Sequence, residues 1–193
     1  MFARIAARID RFAGARPLLF AVLFGGAKNT VADVIVQNRF EGHDLHSIDL
    51  RRTAVFATFG LFYVGAAQFG LFNHILPQLF GRGLLQGNRR AVIKAVGFDQ
   101  IVHMPFMYFP VFYTIREFGI GECSWENALR DWRACIGPDM ILQAGIFVPV
   151  QIVNFRYLPV RYRVPWTTTF GFLYVMALSA TRGSVDPADQ GSI

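Results

Sequence analysis

The chain has 193 residues, 53% apolar, 15% aromatic and only 17% charged, with a mean hydropathy of +0.35. So little charge beside 20 phenylalanines excludes both a water-soluble globule and a disordered chain, and two cysteines exclude a disulfide scaffold. The net charge of +6 comes from arginines clustered between apolar runs, a pattern that suits anionic lipid headgroups and argues against nucleic acid.

Residues 1–16 carry Arg4, Arg8, Arg11 and Arg16, with Phe2, Ile5, Ile9 and Phe12 near helical spacing. This predicts an amphipathic helix at the membrane surface. Pro17 suits a first helical turn and opens the first of five apolar stretches: 17–37, 53–78, 91–115, 136–155 and 164–181. At 1.5 Å per residue, each is long enough for about 30 Å of hydrocarbon. Between the third and fourth, Ser124 is placed to cap a short interfacial helix with Trp125 and Trp132 at headgroup depth. Cys123 and Cys135 would stand about 18 Å apart on that helix, too far to bridge.

The expected architecture is therefore all-α: a polytopic membrane helical bundle. An amphipathic helix at 1–16 precedes a transmembrane bundle at 17–181 and a polar tail at 182–193. Loop charges favour about five spans. The segments 1–16, 79–90 and 156–163 each sum to +3, whereas 38–52 sums to 0, and 116–135 and the tail each sum to −1. That alternation puts the N-terminus on the positive-inside face. Four spans, with the last segment lying along or re-entering the membrane, is the alternative.

Polar residues recur inside the spans. Asn29, Asp33 and Gln37 form one helical stripe, and Asp99 with His103 forms another beside Gln100. In the fourth span Asp139, Gln143, Gln151 and Asn154 share a face, and in the second Gly70, His74 and Gln78 lie in a row. Lys28 and Lys94 stand five residues before Asp33 and Asp99, a spacing that forbids pairing within one helix. A carboxylate facing lipid costs at least about 2.5–3.5 kcal/mol, so these stripes are expected to face protein or water. Two readings follow. In one, Lys28, Lys94, His103 and Arg163 line a hydrated path for an anionic or small polar solute. In the other, the polar side chains tie helices together, aided by close approach at Gly60, Gly65, Ala66 and Gly70.

Nothing in the chain has the spacing of a nucleotide loop, a zinc protease or a nucleophile elbow. His43, Asp44, His46 and Asp49 read as a polar loop rather than a metal site. The sequence points away from an enzyme, and neither a cofactor nor a metal is expected.

Pro17, then Ala32-Asp33 and Gln37, resembles the opening of the Mpv-17 / 22-kDa peroxisomal membrane protein family. Arg52-Thr53 with Gly60 and Gly65 is similar to that family's second span, and Lys94, Asp99-Gln100 and Pro105 to its next element. The most specific block is Pro149, Gln151, Asn154-Phe155, Pro159 and Arg163, followed by Leu178-Ser179. The chain departs from the pattern at Ala32 and Ala66, around Leu71-Phe72, and at Phe147 and Tyr174, where the family carries tryptophans. The resemblance implies a multi-span protein of the mitochondrial inner or peroxisomal membrane, linked to weakly selective channels and mitochondrial nucleotide supply. The Arg-rich, Glu-free start favours the mitochondrion over the peroxisome. Two roles are carried forward. One is a channel or metabolite-permeation protein. The other is a structural accessory subunit packed against other subunits of a respiratory-chain or ATP synthase complex.

Overall fold

Helix α1, Phe2–Ala15, breaks at Arg16 and the chain re-enters a helix at once, because Pro17 opens α2, Pro17–Arg39, where its missing N–H costs nothing. The computed structural model describes residues 2–44, 46–120, 124–135 and 137–182. The tail beyond Arg182, and with Cys123 the reading of the cysteine pair, lie outside the described residues, as does the side chain of Asp139. Helix α3, Leu50–Phe80, starts at Asp49, whose carboxylate accepts the Arg52 backbone N–H at 3.1 Å. A 3₁₀ turn, Arg82–Gln86, ends at Gly87 with a left-handed φ of +70°. Asn88 then caps α4, residues 89–120, by accepting from Arg90 and Ala91. Helix α5, Trp125–Cys135, is capped by Ser124, whose hydroxyl accepts the Asn127 N–H. Helix α6, Pro138–Tyr157, ends where Leu158 is extended before Pro159, as the sequence requires, and α7 runs Val160–Arg182. Seven helices and no strand occur among the described residues.

Two of these helices, α2 and α3, are long and apolar enough to cross a membrane by length and composition alone. Large apolar side chains face outward on all five long helices, among them Leu23 on α2, Phe62 on α3, Ile101 on α4, Ile141 on α6 and Leu173 on α7. An outward-facing apolar surface of this extent suits lipid rather than water.

The helices are less regular than the spacing argument assumes. Gly60–Ala67 and Leu71–Ile75 in α3, and Asp99–Tyr108 in α4, are π-helical. The α4 segment contains Pro105, which has no N–H to return to the preceding turn and whose ring crowds that turn; a wider turn relieves both. In α3 the wider turns rotate the row predicted at Gly70, His74 and Gln78. His74 and Gln78 are exposed, and Gly70 has nothing near it that an added Cβ would touch. Gln68 and Asn73, five residues apart, are buried instead, because in an i→i+5 turn residues five apart come onto the same face.

Helix α2 lies at the centre, against α3 on one side and α7 on the other. Its crossing with α3 is backbone-close. A Cβ on Gly25 would come within 2.5 Å of the Gly60 carbonyl oxygen, and one on Gly65 within 2.5 Å of Val22 Cα. The main apolar core runs from Phe69, Phe72 and Leu76 on α3 through Val92 and Val96 on α4 to Phe155 and Val164. A smaller one gathers Met104, Phe109 and Tyr113 around Trp132. Trp132 is thus held inward, its indole N–H donating to the Pro105 carbonyl at 2.9 Å, and only Trp125 is strongly exposed.

The three basic segments meet at one end. The Arg161 guanidinium pairs with Asp10 of α1 at 3.0 Å, the Tyr162 hydroxyl donates to the same carboxylate, and Arg156 donates to the Gly87 carbonyl. Glu41, from a segment with no net positive charge, pairs with Arg52 beyond the opposite end of α2.

Candidate functional site

Two buried carboxylates organise the polar interior. Asp33 on α2 accepts from Arg52 Nε at 2.8 Å, Thr53 Oγ1 at 2.7 Å and Gln37 Nε2 at 2.7 Å. Gln37 returns its carbonyl to the Asp49 backbone N–H at 2.7 Å, and the Arg52 guanidinium also grips Glu41. The cluster locks the C-terminal half of α2 to the capped start of α3. Asn29, one turn earlier, donates to the Phe56 carbonyl and continues the seam. Gln37 belongs to Asp33's own stripe, whereas the cation that pairs with Asp33 is not among those the spacing suggests. Arg52 lies in the basic pair that precedes the second apolar stretch, and only folding brings it to the carboxylate.

Asp99 on α4 is fully buried. It accepts from Gln151 Nε2 of α6 at 2.7 Å and from Gln100 Nε2 at 3.0 Å, and the His103 Nδ1–H donates to its other oxygen at 2.7 Å. With the ring proton facing the carboxylate, His103 Nε2 accepts the Tyr63 hydroxyl at 3.2 Å. Asn154 donates to the Gln151 carbonyl at 2.8 Å and closes the network. Three donors hold Asp99, and Tyr63 and Asn154 brace two of them, so this is inter-helix hydrogen bonding among α3, α4 and α6.

Arg163 is 1% exposed and has no carboxylate partner among the described residues. Its guanidinium donates to the carbonyls of Leu158, Phe72 and Leu84 and lies 5.6 Å from the Phe155 ring centre. The reason lies in α3. In the π-helical register Leu71 accepts the Leu76 N–H, so Phe72 would accept from Pro77, which has none. Arg163 supplies that missing donor, and this accounts for a cation buried at a helix start.

Lys94 takes no part. It is exposed on the outer face of α4, and among the described residues nothing pairs with it. Lys28 does face inward, but Asn29 Oδ1, at 3.0 Å, is its partner; no carboxylate lies within 4.0 Å of it among the described residues.

A cavity of about 490 Å³ opens within the bundle. Of the eleven residues singled out from the sequence, only Lys28 and Gln151 line it. Asp33, Asp99, His103, Asn154 and Arg163 stand behind its wall as ties. Gln68, Gln143, Thr167 and Thr168 add uncharged polar groups, Glu41 and Arg116 add charged ones, and Phe72, Tyr108, Phe112, Phe147 and Tyr174 contribute rings. Gln143 and Thr168 are 2% and 3% exposed, and neither the Gln143 amide nor the Thr168 hydroxyl has a partner among the described residues. Gln143 sits in the fourth-span stripe that the spacing identifies. Thr168 carries no sequence signal, since a threonine in an apolar helix is unremarkable.

The profile of the Mpv17 / PMP22 family matches residues 121–179, a stretch that holds Gln143, Gln151, Asn154, Arg163 and Thr168. The mitochondrial inner membrane protein Mpv17 of Danio rerio is 28% identical over 148 residues, covering 77% of this chain and 80% of that one. Peroxisomal membrane protein 2 of Bos taurus is 22% identical over 153 residues, covering 78% and 74%. In this stretch and in both relatives, the chain is similar to the Mpv17 / PMP22 family. Members of the Mpv17 / PMP22 family are membrane proteins and generally not enzymes. No solved structure matches the chain at a significant level. Two of the positions where this chain departs from the family's tryptophans, Phe147 and Tyr174, meet on the cavity wall with ring centres 5.9 Å apart and planes at 80°. Both departures therefore fall on the cavity wall rather than on the polar ties.

Proposed function

We propose that this chain is a weakly selective channel or metabolite-permeation protein of the mitochondrial inner membrane. It crosses the membrane five times, with its N-terminus in the matrix and the Arg-rich rim against anionic headgroups. The observation that carries this reading is the cavity itself. It runs among α2, α3, α4, α6 and α7, and it holds unpartnered polar side chains where a purely structural interior would hold apolar ones. From Lys28 to Phe40, the C-cap of α2, is about 18 Å at 1.5 Å per residue, so the lining extends from mid-helix to a bundle end. The grouping of the three basic segments at one end supports five crossings. The inner-membrane location is supported by the Danio rerio relative and by the Arg-rich start.

The test uses the full chain in proteoliposomes, with Cys123 and Cys135 changed to serine and Thr168→Cys introduced. Small-solute flux above that of protein-free liposomes is expected, and a membrane-impermeant methanethiosulfonate should lower it at least fivefold. Flux equal to that of protein-free liposomes would refute the reading and leave the accessory-subunit role.

A further inference from the structure

Resting on the permeation reading, we propose that the cavity is a binding site for small organic monoanions with an aromatic body. The anionic group is held by Lys28 together with Gln143 and Thr168. The charge inventory of the lining decides the sign. Three charged residues border the cavity: Lys28, Glu41 and Arg116. Glu41 is gripped by both its oxygens to Arg52, at 2.7 and 2.8 Å, and lies at the mouth with Arg116. Among the described side chains, the interior is left with one formal charge, and it is positive.

That cation is not used up by the fold. An ammonium group has three donor protons, and Lys28 Nζ spends one on Asn29 Oδ1. Nζ stands beside α7, where a Cβ placed on Gly171 would be 3.5 Å from it and 3.9 Å from the Phe147 ring. Thr168 precedes Gly171 by three residues on α7, and Gln143 precedes Phe147 by four on α6, so both share the faces that meet at Lys28. Their donors are unspent as well. One ammonium, one hydroxyl and one primary amide, all without partners for these protons among the described residues, make a donor set for a carboxylate.

The same set disfavours other ligands. A cation meets Lys28 with no compensating carboxylate among the described residues. A phosphate dianion calls for several cations or an arginine fork, and the interior offers a single lysine. The remaining wall is largely aromatic, with Phe72, Tyr108, Phe112, Phe147 and Tyr174 around the space, and it suits a flat ring in edge-to-face contact. A volume of about 490 Å³ is within the range of small-ligand sites.

The experiment measures equilibrium binding of radiolabelled benzoate to the full chain in detergent, with benzamide and inorganic phosphate as competitors. Flux through proteoliposomes is read in parallel. Saturable benzoate binding is expected, with benzamide and phosphate each at least tenfold weaker as competitors. Lys28→Gln should weaken binding tenfold or more, and Lys28→Arg should retain part of it. Gln143→Leu removes an unpartnered amide, so it should weaken benzoate binding while leaving the melting temperature equal or higher; a residue with a structural role alone would show the reverse. Equal competition by benzamide, or unchanged binding in Lys28→Gln, overturns the proposal. Flux without benzoate binding overturns the anion site and leaves the permeation reading standing. Benzoate binding without flux upholds the site and overturns permeation.

Discussion

Asp33 shows how a charged residue in an apolar helix is made tolerable. Its carboxylate is almost wholly buried, yet it accepts three hydrogen bonds, one of them from a guanidinium. Removing the cation strands the anion, whereas neutralising the anion leaves a smaller defect. Arg52→Met should therefore destabilise the chain by about 2–3 kcal/mol, less than a fully buried pair because Arg52 is partly exposed. Adding Asp33→Asn to Arg52→Met should restore part of the loss, which thermal melts of the four combinations in detergent would measure. Because Asp33 does not line the cavity, Asp33→Asn alone should leave solute selectivity unchanged in proteoliposomes. A selectivity change there would mean that the carboxylate reaches the path.

At the scale of elements, two devices hold the long helices. The first is the glycine crossing of α2 and α3, where backbone meets backbone. Gly60→Ala places a methyl within 2.5 Å of the Gly25 carbonyl oxygen, so the helices must part. The expected cost is about 1–3 kcal/mol, read as a lower melting temperature. Gly70→Ala, with nothing within 4 Å of its added Cβ, should cost nothing and serves as the control. The second device is Arg163, which joins the start of α7 to the proline-orphaned carbonyl of Phe72 and to the turn before α4. Arg163→Met orphans the Phe72 carbonyl and takes a donor from Leu158 and from Leu84, which keeps the Gly87 N–H, so a loss of about 2–3 kcal/mol is expected. Limited proteolysis should then cut first in the 81–88 turn; cleavage no faster than in the unaltered chain would show that Arg163 is not the tie.

For the molecule as a whole, the ends of the bundle carry different charge. The basic segments 1–16, 79–90 and 156–163 gather at one end, joined by Asp10 to Arg161 and by Arg156 to Gly87. On the proposed five crossings of the inner membrane, that end faces the matrix. An N-terminal epitope tag should survive protease added to mitoplasts and be lost only when the inner membrane is dissolved. Early loss of the tag would reverse the orientation.

Much of this was readable from local pattern. Helix positions follow from apolar runs and their punctuation. Pro17 opens α2, Asp49 and Ser124 cap their helices, and Pro159 separates α6 from α7, because each of these effects acts within a few residues. The burial of Asn29, Asp33, Gln37, Asp99 and Gln151 was equally determined, since a stripe of polar groups in an apolar helix has only one tolerable direction. Which of them are ties and which face the cavity was decided by the tertiary structure. Asp33 and Asp99 look alike in sequence to Lys28, yet they are consumed by partners 19 and 52 residues away, whereas Lys28 keeps protons to spare. The π-helical turns of α3 and α4 also escaped local reading, and through them the places of His74, Gln78 and Asn73. A wide turn around a proline changes which residues share a face, and a fixed 100° step carries no record of it.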